Sequence, residues 1–142
     1  MDISEAGIEQ ARQNAGPLAS RIHLVADDLT RFKASQAHVE HSHVTRGFDV
    51  VMVFFYLERT IFSELLRAIR PGGLLLYKTY TSVQGKLPDG PKNPAHLLEP
   101  GELLRLAAGL RVLYYREEMA ERAPAELVAQ KVAAGTDSPL DL

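Results

Sequence analysis

Apolar residues run almost without interruption from Phe48 to Leu57 and do not alternate with polar ones. That pattern predicts a strand covered on both faces, as in a parallel sheet. Behind it, Leu57, Ile61, Leu65, Leu66 and Ile69 fall on one helical face, while Glu58, Arg59, Glu64, Arg67 and Arg70 mostly lie off it. Pro71-Gly72-Gly73 is expected to stop that helix and turn the chain into a second apolar strand, Leu74 to Tyr80. Strand, helix, tight turn and strand make a βαβ unit with parallel strands.

Upstream, Ser4 suits a helix N-cap, Glu5 its first turn, and Ile8, Ala11 and Ala15 recur at helical spacing before Gly16-Pro17 stops the helix. Arg21 to Ala26 is short and apolar and reads as a strand ending on the acidic pair Asp27-Asp28. From Thr30 to Arg46 the chain is polar and predicts a loop with at most one weak helix. Downstream, Gly85, Pro88, Gly90, Pro91 and Pro94 make Thr81 to Glu99 a long irregular loop, of a kind that often serves as a lid. Pro100 opens a helix running to about Ala108, with Gly109 as its stop. Arg111 to Met119 and Ala125 to Ala134 read as an antiparallel pair closing the sheet. The expectation is an α/β chain with one domain over 1–134 and a frayed tail over 135–142.

Composition narrows the function classes. Sixteen basic against eighteen acidic residues leave a net charge of −2, so there is no basic field to drive nucleic-acid or anionic-membrane binding. The absence of cysteine excludes disulfides, thiolate metal sites and a cysteine nucleophile. No apolar run approaches the roughly 18–20 residues that span a bilayer, and the acidic opening Met1-Asp2-Ile3-Ser4-Glu5 is unlike a signal peptide. A cytoplasmic, soluble protein is the expectation. His38, His41 and His43 lie close together with Glu40, but their spacing matches no zinc pattern, and no metal is expected.

Taken in order, four segments resemble the class I S-adenosylmethionine-dependent methyltransferases: Met1-Asp2-Ile3-Ser4, Ala26-Asp27-Asp28-Leu29, Phe48 to Leu57, and Ile69-Arg70-Pro71-Gly72-Gly73-Leu74. They look like the ends of that family's second and third strands, its fourth strand, and its turn into strand five. Tyr56-Leu57 and the series from Asn93 to Leu104 are similar to small bacterial methyltransferases grouped with the tellurite-resistance methyltransferases. The resemblance implies a Rossmann-like, mostly parallel sheet with flanking helices and a C-terminal antiparallel pair. It also implies S-adenosylmethionine as cofactor, with Asp2 on the ribose hydroxyls, Asp28 on the adenine amino group and Ile3 or Leu29 against the ring. Phe55 and Tyr56 would line the same pocket. Asp2 reads equally as a loose terminal residue, and Asp28 also as the cap of a following turn.

One part of the family pattern has no counterpart. Its first strand and glycine-rich loop should precede Asp2, where this sequence has only Met1. The chain therefore reads as an N-terminally truncated methyltransferase that binds the cofactor weakly and turns over nothing measurable. Its acceptor would be a small molecule, and no residue singles itself out as a general base. The rival reading is a non-catalytic α/β remnant serving as a binding or oligomerisation module, with a homodimer formed near Asp49–Tyr56.

Overall fold

The computed structural model describes residues 1–35, 47–118 and 123–133. Their sheet has four strands: β1 (Phe48–Phe54), β2 (Ile69–Tyr80), β3 (Arg111–Glu117) and β4 (Pro124–Gln130). The spatial order is β1-β2-β4-β3, with β1 and β2 parallel and the other two pairings antiparallel. The α/β class, the parallel βαβ unit and the closing antiparallel pair are all present.

The helices are α1 (Glu5–Ala15), α2 (Phe62–Ala68) and α3 (Glu102–Leu106). Ser4 caps α1 by accepting the Gly7 N–H, and Gly16 ends it at φ 49°. Only Ile8 of its apolar positions is buried; Ala11 is exposed. The α2 helix is shorter than the apolar spacing predicted, because a 3-10 turn over Arg59–Ile61, capped by Glu58, precedes it. Its expected apolar face holds all the same: Leu57, Ile61, Leu65 and Ile69 are buried, together with Phe62. Among the described residues no helix is long and apolar enough to cross a membrane.

Two features depart from the sequence reading. Pro71-Gly72-Gly73 lies inside β2, as the irregularity where the register jumps from Phe48–Ile69 to Val50–Leu74. The glycine at 73 is dictated by close approach: a Cβ there would sit 2.9 Å from the carbonyl oxygens of both Phe48 and Asp49. Arg21–Ala26 does not form a strand; only Ala26 pairs, in an isolated parallel bridge with Asp2. Gly16–Arg21 continues instead as a 3-10 helix, which absorbs the start of the predicted strand.

The core lies on one face of the sheet. Leu75 and Tyr77 of β2 and Ala125, Leu127 and Ala129 of β4 pack with Phe62 and Leu65 of α2, Leu103 of α3, and Leu98. On the other face Val50, Met52 and Phe54 are exposed, which corrects the expectation that β1 is covered on both sides. The irregular loop after β2 is pinned rather than loose. Leu98 N–H donates to the Tyr80 carbonyl, Ser82 N–H donates to the Leu98 carbonyl, and Arg59 reaches the carbonyls of Ala95 and Leu97.

Candidate functional site

The outer edge of β1 has no partner strand among the described residues, and a cleft of about 610 Å³ runs along it. Residues from both faces of β1 line the cleft, Val50, Met52 and Phe54 from one and Val51 and Val53 from the other. Its far wall is Met1-Asp2-Ile3 together with Asp28, Leu29 and Phe32, and Ile61 and Leu65 add apolar surface. No lysine or arginine of the described residues lines it.

Local hydrogen bonds hold the acidic wall. Asp2 N–H donates to the Val25 carbonyl and Asp27 N–H to the Asp2 carbonyl, each at 3.1 Å, so the first residues are tied to the turn that carries Asp28. Asp2 Oδ1 accepts the Ser4 N–H at 2.8 Å, just ahead of α1. Asp28 caps the 3-10 turn Leu29–Arg31, its Oδ1 accepting both the N–H and the hydroxyl of Thr30 at 2.9 and 2.8 Å. The Thr30 N–H, then its hydroxyl, hold the Asp28 carboxyl below the usual range, so it stays an ionised acceptor. Of the two roles open to Asp28 in the sequence, the turn cap is therefore realised. It does not consume the carboxylate, since both bonds fall on one oxygen.

Tyr56 stands at the cleft beyond the end of β1, and the buried Tyr77 hydroxyl donates to its carbonyl at 2.7 Å. Burial pushes the Tyr56 phenol up, followed by the charges of Glu58 and Asp28. Asp2, Ile3, Asp28, Leu29 and Tyr56, all singled out in the sequence, are thus brought together. Phe55 is not among the lining residues. It takes φ 56°, a conformation that strains a bulky side chain by about 1–3 kcal/mol. Its N–H donates to the Lys78 carbonyl at 2.7 Å, and its ring turns to Tyr80, 5.1 Å between centroids. That reversal also explains why β1 stops at Phe54, three residues short of the apolar run.

Phe32, Val51 and Val53 line the cleft without having been singled out. For the two valines the available signal was period-two alternation within the apolar run, which assigns them one face and Met52 the other. Among the described residues no three His, Asp or Glu side chains cluster to hold a metal. His38, His41 and His43 lie outside the described residues.

Chemically the cleft offers carboxylate acceptors at one end and apolar surface elsewhere. It suits a ligand with hydroxyl or amino donors and a flat apolar ring. With no lysine or arginine of the described residues lining it, it is unsuited to a phosphate. A nucleoside fits that set better than a nucleotide.

No protein-family profile and no curated protein sequence matches the chain. Solved structures do match. The N-methyltransferase NodS from Bradyrhizobium japonicum WM9, in complex with S-adenosyl-l-homocysteine, superposes with TM-score 0.61 at 16% identity, over 91% of this chain and 63% of that one. TehB from Haemophilus influenzae gives 0.61 at 14% identity, over 91% of this chain and 48% of that one. The cyclase SpnF gives 0.64 at 16% identity, over 92% and 64%. The chain thus spans from about half to just under two thirds of the length of these structures. These likenesses extend over the parallel βαβ unit and the antiparallel closing pair alike: this chain has the class I S-adenosylmethionine-dependent methyltransferase fold.

Proposed function

We propose that the β1 cleft holds the nucleoside half of S-adenosylmethionine and that the protein serves methyl transfer to a small acceptor in the cytoplasm, without a nucleic-acid or membrane partner. The observation that carries this reading is the convergence of Asp2 and Asp28 with Ile3, Leu29 and Tyr56 in a cleft that no lysine or arginine of the described residues lines. Asp2 and Asp28 would accept from ribose hydroxyls and the adenine amino group, while Ile3, Leu29 and Tyr56 cover the ring and exclude water. Bound there, the cofactor supplies an already activated methyl group, so orientation is the protein's main contribution.

Among the described residues no lysine or arginine lines the cleft to meet the carboxylate of the methionine half, so weak binding and no measurable turnover are expected of this chain by itself. Titration calorimetry with S-adenosylhomocysteine should give a dissociation constant weaker than about 10 μM. Backbone NMR should show shifts at Asp2, Asp28 and Tyr56. A low-micromolar constant would refute the weak-binding part, and unshifted signals along the whole cleft would refute the site.

A second reading, a binding or oligomerisation module, draws on a different observation. The β1 edge, without a partner strand among the described residues, carries exposed Val50, Met52 and Phe54, and such edges recruit other strands. Light scattering at micromolar concentration tests its oligomerisation form, which requires a mass above that of one chain.

A further inference from the structure

The cleft does not use the most unusual residue beside it. Phe55 adopts a left-handed backbone conformation that a phenylalanine rarely takes, and two bonds impose it. One runs from its own N–H to the Lys78 carbonyl, the other from the buried Tyr77 hydroxyl to the Tyr56 carbonyl. The result is a ring left 55% exposed, while Leu57, two residues on, is 5% exposed. Backbone strain of this kind clusters at ligand sites and is a ground for a hypothesis of function.

The surroundings of the ring define what it can receive. Phe55 and Tyr80 stand 5.1 Å apart with their planes 34° from parallel, forming a tilted aromatic pair at the C-terminal ends of the parallel strands β1 and β2. That end is where open α/β sheets bind ligands. The residues on either side of Phe55, Phe54 and Tyr56, both line the cleft, so the ring pair stands at its rim. Lys78 Nζ lies over the Phe55 ring, 5.9 Å from its centroid, and is paired with Glu126 at 2.6 Å. That pairing holds the Glu126 carboxyl below its ordinary range, so at neutral pH the two charges cancel. Among the described residues the patch therefore presents aromatic surface with no uncommitted charge. An oxyanion would have to break the Lys78–Glu126 pair to be recognised, whereas a flat neutral ring needs only the exposed faces.

We propose that Phe55 and Tyr80 form the seat of the methyl acceptor, and that the acceptor carries a flat, uncharged aromatic ring. This rests on the methyltransferase reading above and adds the acceptor class to it. The acceptor's ring stacks on Phe55 at the rim, with its nucleophilic substituent directed to the cleft.

The test uses the whole chain, indole as the flat neutral probe, cyclohexylmethanol as a non-aromatic counterpart and inorganic phosphate as the oxyanion. Each is titrated by NMR in the presence of S-adenosylhomocysteine. Indole should shift Phe55 and Tyr80, cyclohexylmethanol should bind several-fold more weakly, and phosphate should leave Lys78 unmoved. Phe55→Gly removes the ring yet accepts the positive φ without strain, so it keeps the turn. It should weaken indole about tenfold while leaving the homocysteine response at Asp2 and Asp28 unchanged. Tyr80→Leu, which keeps an apolar side chain in β2, should weaken indole by a smaller factor. Indole that leaves Phe55 and Tyr80 unshifted, or binds Phe55→Gly as well as the parent, overturns the seat. Equal binding of cyclohexylmethanol, or phosphate shifting Lys78 where indole does nothing, overturns the acceptor class. Loss of the homocysteine response with indole binding intact refutes the methyltransferase reading instead, and with it the assignment of the ring pair to an acceptor.

Discussion

The two faces of β2 share one backbone and one register, yet they live in different environments. Leu75, Tyr77 and Thr79 are almost completely buried against α2, α3 and Leu98. Leu74, Leu76, Lys78 and Tyr80 alternate with them and stay half-exposed, continuous with Val50, Met52 and Phe54 of β1 and Tyr114 of β3. The comparison teaches that apolar composition along these strands does not report how many layers cover them. One face is a packed core; the other is equally apolar in β1 but has no layer on it among the described residues.

Truncating each face should give the largest contrast. Leu75→Ala is expected to destabilise by about 3 kcal/mol in urea unfolding, whereas Met52→Ala, on the open face of β1, should change stability by less than about 0.5 kcal/mol. Equal losses would mean that something covers the open face in solution. Next in size is the clamp that ties the loop after β2 to the packed side. Arg59 Nε and Nη2 meet the two oxygens of Glu102 at 2.5 and 2.9 Å, and the same guanidinium holds two loop carbonyls. Arg59→Ala should cost about 2 kcal/mol. It should also loosen Leu97 and Leu98, readable as faster amide exchange at Leu98.

Acid should act on both sides, on the packed one through Glu102 and Glu64. The Arg59 hydrogen bond holds Glu102 below its ordinary value of 4.5, and the Ala34 N–H does the same for Glu64. Both folded values are depressed. Their contribution is therefore fully present above the unfolded value and is lost as pH falls through the folded ones. The urea midpoint should stay flat from neutral pH down to about 5 and fall below about 4.5, less steeply in Glu102→Gln. A midpoint that declines already between pH 7 and 6 would contradict this. The smallest effect on stability and the clearest on assembly belongs to the open side. Met52→Lys should leave the fold within about 0.5 kcal/mol and abolish any self-association seen by light scattering, while Arg116→Ala on β3 should leave it unchanged.

How much of this was legible in the sequence follows the same division. The buried face of α2 was visible in the spacing of Leu57, Ile61, Leu65 and Ile69, because a helix against a sheet must repeat apolar residues at its own period. The pairing of β3 with β4 was visible for a similar reason, with turn residues between two short apolar runs. The strand expected over Arg21–Ala26 failed because its partner is only Asp2, and one bridge cannot hold a ladder. Pro71-Gly72-Gly73 was misread as a turn because the same residues serve a strand irregularity where two backbones come close. At the site, Asp2 and Asp28 could be picked by residue type at the ends of apolar segments. The departure of Phe55 from its neighbours could not, since a reversed φ in a phenylalanine leaves no mark on composition or period.

The strand order carries a consequence for how the chain is made. β4 is the last described strand to leave the ribosome, yet it sits inside the sheet between β2 and β3. Until residues 124–130 emerge, β2 is paired on one side only and β3 has no partner. The chain therefore waits through about forty residues of further synthesis with its future core uncovered, a stretch of some seconds at ordinary elongation rates. Closure is then a single late event in which one strand completes two ladders at once.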